Sequence, residues 1–387
     1  MRAVLTLNAG SSSLKFALFS VEDEPQVLAS GLVERIGGAD ARVRARSATG
    51  ESTGDETAAI PSHADALERA LALLTRAVPE AEVKAVGHRV VHGGPDFEAP
   101  LRLDDASLAQ LAALEPFAPL HQPHNLAGIR AAASHFPEAA QVGCFDTAFH
   151  RTQSREADSF ALPRAYYDKG VRRYGFHGLS YDYLAGHLAR KAPLLFAGRV
   201  IVAHLGNGAS MCAMIDGHSV GSTMGFSALD GLPMGTRSGQ IDPGVLLYLM
   251  EQEGMGAAEI SDLLYKRSGL LGMSGVSNDM RALEASTAPE AREAITYFTT
   301  RIRREIGALT ATMGGLDALV FTGGIGENSV RVRDEATDRM GWLGIEIDPM
   351  ANSRSDMLIS TPLSRVAVMV IPTNEELVIA RAAAHHA

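Results

Sequence analysis

The 387-residue chain has only two cysteines, Cys144 and Cys212, each inside an apolar run and without a second cysteine at metal or redox spacing. That excludes a disulfide framework and a CxxC centre, and both thiols are expected as reduced core residues. No stretch approaches the ~18 uninterrupted apolar residues of a membrane span, and the opening Met1-Arg2-Ala3-Val4-Leu5-Thr6-Leu7-Asn8 turns polar after one short apolar run, unlike a signal peptide. Positive charge is also scarce, with 35 Lys and Arg against 45 Asp and Glu, a formal net charge of −10. No basic run could track a phosphate backbone, so nucleic acid is excluded as a partner. G-x-x-x-x-G-K-[ST] is absent.

The composition, 46% hydrophobic and 21% charged, is that of an ordinary globular enzyme. The length exceeds one core and suits two lobes with an interdomain cleft. Val4 to Leu7 and Leu14 to Phe19 read as strands around Asn8-Ala9-Gly10-Ser11-Ser12-Ser13, and Arg199 to His204 and Met211 to Ile215 flank Leu205-Gly206-Asn207-Gly208-Ala209-Ser210 in the same way. A unit repeated half a chain apart implies two similar lobes, because solenoid periods are ~20–50 residues. A third glycine-rich loop, Gly323 to Asn328, follows the strand pattern Ala318 to Phe321. Ser62 with Asp65 opens a helix carrying Leu67, Leu71, Leu74 and Val78 on one face. A second helix runs from Pro289 to Met313 and ends at Gly314-Gly315. Ala39 to Thr57, polar and weakly periodic, reads as weak strands or a mobile loop. The lobe boundary is expected at His150 to Arg155, with the first lobe over 1–150 completed by 376–387 and the second over 151–375.

Backbone N–H groups and hydroxyls in small-residue turns form anion cradles, and three such turns favour a nucleotide. Lys15 could reach a phosphate as a point charge. Strand alternation through Gly87-His88-Arg89-Val90-Val91-His92-Gly93-Gly94 puts Arg89 beside Val91, a guanidinium next to an apolar wall, which suits a short acyl carboxylate. His88 and His92 are alternatively a metal pair, but no carboxylate stands at ligand spacing. Asp146 follows the apolar run ending at Phe145, at the carboxyl end of a central strand, where sites in open α/β sheets collect. His177 and Arg237 sit in glycine-punctuated loops that no core pattern explains.

Taken together, Asn8 to Lys15, Gly87 to Gly94, Phe145-Asp146-Thr147-Ala148-Phe149-His150, His204 to Gly208, Met234-Gly235-Thr236-Arg237-Ser238-Gly239, Gly323 to Asn328 and Thr373-Asn374-Glu375-Glu376 resemble the acetate kinase family over nearly the whole chain. The resemblance implies a two-lobed actin-like α/β fold, that of acetate and sugar kinases, heat-shock chaperones and actin, with duplicated ribonuclease-H-like domains. It also implies a cytoplasmic homodimer that moves the γ-phosphoryl of ATP to acetate. By that likeness Asn8 and Glu375 hold Mg²⁺ (or Mn²⁺), while Lys15, Ser11 and Ser13 lie near the phosphates. His204, Leu205, Gly206, Asn207 and Gly208, then Asp279, Met280 and Arg281, then Gly324, Ile325, Gly326, Glu327 and Asn328 hold the nucleotide. Arg89, Asp146, His177 and Arg237, with His121, surround the transferring group, and Val91, Leu120, Phe176 and Ala228 line the acyl pocket beside Arg89.

Three positions depart from the family pattern. Ala228 stands where a proline usually walls the acyl pocket, which implies room for propionate. Gln240 replaces an acidic residue and Tyr181 a histidine. The remaining alternatives are a propionate or other short-chain carboxylate kinase on the same fold, a non-catalytic actin-like ATP-binding module, and a metallohydrolase built from His88, His92, His121 and Asp146.

Overall fold

The computed structural model describes every residue except Ser11 and Leu120. The chain divides into two compact units, Met1–Phe149 with Asn374–Ala387, and His150–Thr373.

In the first unit a sheet runs β5-β4-β3-β2-β1-β6-β8-β7. Its strands are β1 (Arg2–Ala9), β2 (Ser13–Ser20), β3 (Val27–Glu34), β4 (Ala41–Ser47), β5 (Ser52–Ala58), β6 (Glu82–Val90), β7 (Leu101–Arg102) and β8 (Ala140–Phe145). β1, β2 and β3 form an antiparallel meander, and β6 and β8 continue it in parallel. Every residue of β8 is buried, as a strand covered on both faces requires. The helices Gln122–His135 and Glu375–Ala384 pack on it. β8 is not the central strand, since only the two-residue β7 lies outside it.

The polar stretch Ala39 to Thr57 forms strands, as one of its two readings had it, and not a mobile loop: it is the regular pair β4 and β5. Ala41, Val43 and Ala45 alternate inward against the helix His63–Ala77. Two of the three are alanines, whose small side chains give a faint period-two signal. That helix starts at Ser62, whose hydroxyl accepts from the Asp65 N–H, and buries Leu67, Leu73 and Leu74.

In the second unit the sheet runs β11-β10-β9-β12-β13, with β9 (Arg199–Leu205), β10 (Ala209–Ile215), β11 (His218–Ser222), β12 (Ala318–Thr322) and β13 (Ala367–Val370). Two antiparallel pairings followed by two parallel ones repeat the order of β3-β2-β1-β6-β8. The doubled hairpin of the sequence is therefore a doubled sheet. The helix Pro289–Met313 buries Ile295, Phe298, Ile302 and Ile306 and packs on β9, β10 and β11, with Gly314 as its C-cap.

Candidate active site

The first unit concentrates charge at one end of β1, β6 and β8. The side chains involved come from positions far apart in sequence, because parallel strands present their carboxyl ends together. Arg89, next to last in β6, donates from Nε to Asp146 Oδ1 (3.1 Å) and from Nη2 to Oδ2 (2.6 Å), a two-bond fork. Its Nη1 donates to Asn8 Oδ1 at 3.1 Å. Asp146 is almost wholly enclosed, its side chain 2% exposed against 20% for Arg89. Burial alone would lower the Arg89 pKa, but Asp146 and then Glu375 outweigh it, so the guanidinium stays charged.

Asn8 is not in a loop: it lies on β1 directly across from Lys15 on β2. The turn between them closes with the Gly10 N–H donating to the Ser13 carbonyl at 2.9 Å. Lys15 does not stand alone, since its ammonium meets Glu376 at 2.6 Å while remaining half exposed. Glu375, expected at the end of the second lobe, instead begins the helix that packs on β1 and β6 in the first unit. Burial raises its pKa, Arg89 pulls it down and Glu376 raises it again. The Glu375 carboxylate has no hydrogen bond or ion pair among the described residues.

That donor set suits a hard divalent cation. Mg²⁺ takes oxygen ligands, commonly one or two carboxylates with water and phosphate completing the shell. Glu375 and the Asn8 amide oxygen meet the requirement, and no group of three His, Cys, Asp or Glu among the described residues offers a fuller protein cage.

The histidines between them do other work. β6 ends at Val90, so the alternation read onto Val91 and His92 does not extend that far. Both are buried just past the strand, with the Val91 N–H donating to Asn125 Oδ1 at 3.0 Å. Asn125 in turn donates to the Ala9 carbonyl at 2.8 Å, tying the ends of β1 and β6 together. His88 Nε2 lies 2.8 Å from Gln141 Oε1, and burial pushes its pKa down to about 4. The Gly94 N–H donates to His92 Nδ1 at 2.9 Å. Two histidines so differently engaged do not make a metal pair. His121 is the N-cap residue of the Gln122–His135 helix. Ser11 and Leu120 lie outside the described residues.

In the second unit a cavity of about 660 Å³ is lined by Gly206 and Asn207 at the β9–β10 turn, Asn278 to Arg281, Glu284, and Gly324, Ile325, Asn328 and Ser329. Gly323 to Asn328 is a short helix following β12, not a loop. Gly323 adopts φ +76°, and a Cβ there would stand 2.7 Å from the Leu205 carbonyl oxygen, so the strand can turn at that point only without a side chain. Of the nucleotide residues expected in this unit, His204, Leu205, Gly208, Gly326 and Glu327 do not line the cavity. Glu327 turns inward, accepting from the Gly323 N–H at 2.9 Å. Asn278, Glu284 and Ser329 were missed. Glu284 lies one helical turn beyond Met280, where i, i+4 spacing could have found it. Its Oε1 accepts from the Ser329 hydroxyl at 2.5 Å.

His177 takes the left-handed φ of 57° at the start of the Gly178–Lys191 helix. Its ring stacks on His204 with centroids 4.3 Å apart. Phe176 beside it is buried. Arg237 donates from Nη1 to the Ala228 carbonyl at 3.0 Å, and its guanidinium lies 6.0 Å from the Tyr265 ring centroid. The departure Gln240 holds Arg301 at 2.9 Å and also Arg304 through its amide oxygen, a structural tie to the Pro289–Met313 helix.

Comparison with known proteins agrees over the full length. The sequence profile of the acetokinase family matches residues 3–381. An acetate kinase of Methylocella silvestris is 56% identical over 391 residues, covering 98% of this chain and 96% of its own. The crystal structure of Porphyromonas gingivalis acetate kinase superposes with a TM-score of 0.88 at 41% identity, over 99% of both chains. A propionate kinase from Francisella tularensis does so with a TM-score of 0.92 at 38% identity, again over 99% of both. The actin-like α/β fold is the one these enzymes share.

Proposed function

The chain belongs to the acetokinase family, and from that premise we propose that it transfers the γ-phosphoryl group of ATP to acetate, reversibly, giving acetyl phosphate and ADP by direct in-line displacement. The observation that carries the reading is the Arg89 guanidinium, clamped by Asp146 and bonded to Asn8. A loose phosphoryl-transfer transition state spreads negative charge over equatorial oxygens and needs fixed cations more than covalent help. Three of the five Arg89 donors are engaged, which leaves N–H groups for one anion in a fixed direction rather than an open fork for the acyl carboxylate.

An acetate oxygen forms the new bond to the γ-phosphorus as the bond to the β–γ bridging oxygen breaks, and ADP leaves with that electron pair. Acetate, with a pKa near ~4, is already ionised at neutral pH, so no base is required. Asp146 therefore holds Arg89 rather than removing a proton. Arg237 and His177 supply positive charge and a hydrogen-bond donor to the transferring group. The 660 Å³ cavity has the size and the mixed polar and apolar lining of a nucleoside site. Mg²⁺ (or Mn²⁺), held by Asn8 and Glu375, would neutralise phosphate charge when bound.

Purified protein given ATP, Mg²⁺ and acetate should form acetyl phosphate, trapped as the hydroxamate. ATP binding without any acyl phosphate would overturn the assignment and favour a non-catalytic module. Propionate is a second substrate on this reading, because Ala228 leaves out the ring of the usual proline and the Francisella neighbour is a propionate kinase. One methylene in an apolar pocket is worth ~1–3 kcal/mol, so kcat/KM for acetate should exceed that for propionate by at most about a hundredfold. Butyrate preferred over both would sink the acetate assignment. A cytoplasmic homodimer fits the same reading. No helix among the described residues is long and apolar enough to cross a membrane. The helix Pro243–Glu251, although apolar in sequence, buries none of its residues, which suits a face awaiting a second copy.

A further inference from the structure

Two helices grip the hairpin turn after Asn8 from the side of the sheet opposite its charges. Along β1, Ala3, Leu5, Leu7 and Ala9 join the core that holds Leu67 and Leu74 of the helix His63–Ala77, so alternation turns Asn8 the other way. Lys15, directly across from Asn8, meets Glu376 on the helix Glu375–Ala384, where Ala17 and Phe19 pack on Ala380. The two carbonyls that follow Asn8 are held from the first of these sides. Asn125 of the helix Gln122–His135 donates to the Ala9 carbonyl at 2.8 Å, and His63 Nε2 lies 2.7 Å from the Gly10 carbonyl. The Ser12 carbonyl accepts from the Ile36 N–H, just past β3, at 2.9 Å.

A carbonyl only accepts, so His63 carries a proton on Nε2. The bond acts on a residue with little of its own to hold it. Gly10 has no side chain to restrict its dihedrals, and a Cβ there would stand 2.9 Å from Ser13 Oγ. Its orientation is carried by hydrogen bonds at both ends, from its N–H to the Ser13 carbonyl at 2.9 Å and from His63 to its own carbonyl. The imidazole is packed in turn, its centroid 5.2 Å from that of His124 at 32°. His124 precedes Asn125, so one segment supplies both the clamp on Ala9 and the wall behind the clamp on Gly10. A small-residue turn presents N–H groups to an anion only while its carbonyls point elsewhere, because a carbonyl oxygen and a phosphate oxygen repel each other.

We propose that His63 is a positioning residue for the metal and phosphate side of the site: its Nε2–H holds the Gly10 carbonyl toward the far face of the sheet, which keeps the turn set with Asn8 directed at the cation. Without that bond the Gly10 peptide rotates about glycine dihedrals and brings its oxygen to the side of the anion, and Asn8, two residues back, loses a fixed support. The inference rests on the assignment of Asn8 and Lys15 to the metal and the phosphates.

His63→Phe keeps an aromatic ring against His124 and removes the donor, whereas His63→Gln offers an amide N–H at a similar reach. In His63→Phe the KM for MgATP should rise about tenfold, the loss typical when a group that supports a metal ligand is removed, with KM for acetate within about twofold of wild type. His63→Gln should recover most of that loss. Deuterium uptake in the peptide spanning the turn should rise in His63→Phe and return toward wild type in His63→Gln. Equal losses in the two variants that track their thermal midpoints make His63 a packing residue and overturn the proposal, as does unchanged uptake in His63→Phe or a rise in KM for acetate as large as that for MgATP. If the wild type makes no acyl phosphate, the functional reading fails, and the turn is then judged by uptake and by Mn²⁺ titration followed by electron paramagnetic resonance. Weaker Mn²⁺ binding with faster uptake in His63→Phe sustains the positioning role, and wild-type values for both end it.

Discussion

At the scale of single residues, the site is governed by which donors are already engaged. Arg89 has most of its donors tied to Asp146 and Asn8, and Arg237 donates to the Ala228 carbonyl and lies over the Tyr265 ring. Arg237→Ala should lower kcat by as much as the ~10³–10⁵ that arginine fingers supply, with a smaller change in KM for acetate. A loss under tenfold removes it from the mechanism. Two buried histidines make a separate prediction about stability. Burial holds His88 and His150 each at about 4, against an ordinary value of 6.5. Between those values the unfolded chain binds protons that the folded chain refuses, so stability is complete above about 6.5, falls as pH drops toward 4, and levels off below. The slope approaches ~1.4 kcal/mol per pH unit for each histidine. Glu375, raised by burial, opposes this, because protonation of a carboxyl favours the state with the higher pKa. Urea midpoints measured from pH 7.5 to 4.5 should decline, and a flat profile would contradict the burial of both rings.

At the scale of elements, the strand-to-helix turn after β12 depends on one atom that is missing. Gly323 combines a left-handed φ with an approach to Leu205 that a methyl group would violate. Gly323→Ala should destabilise the second unit by about 2 kcal/mol or more. It should also weaken nucleotide binding, because Gly324 and Ile325 line the cavity directly after it. Calorimetric unfolding with and without ATP tests both effects; an unshifted transition would mean that the turn relaxes freely. The helix Pro289–Met313 was legible from end to end because a 25-residue amphipathic period with glycine after it has few other readings. The short helix Gly323–Asn328 was not, because six residues with three glycines carry no period and helical geometry there follows from the strand that launches it.

For the whole molecule, the repeated sheet order places a glycine-bearing hairpin turn in each unit, one following Asn8, which holds Arg89, and one at the 660 Å³ cavity. The exposed apolar helix supplies the prediction at this scale. Leu247 and Tyr248 on Pro243–Glu251 are 58% and 53% exposed, and large exposed apolar side chains grouped on one element mark association surfaces. Sedimentation equilibrium should give twice the chain mass, and Leu247→Glu should shift it toward the single chain. A wild-type chain that sediments as a monomer at micromolar concentration would end the homodimer assignment.

Local periodicity and short motifs determined what depends on neighbours in sequence: the two hairpins, the long helices, the burial of both cysteines and the membership implied by the glycine, arginine and histidine motifs. Tertiary structure alone decided what depends on distant partners. Asp146 could be flagged from its place after a strand, yet its engagement with Arg89 across 57 positions follows from β6 and β8 lying side by side. Asn125, which joins the ends of β1 and β6, has no sequence signal, nor does the pairing of Lys15 with Glu376 at the far end of the chain. Hydrophobic pattern encodes which face of an element is buried, whereas hydrogen bonds and ion pairs are directional and short, so their partners exist only once packing has set distances to a few tenths of an ångström.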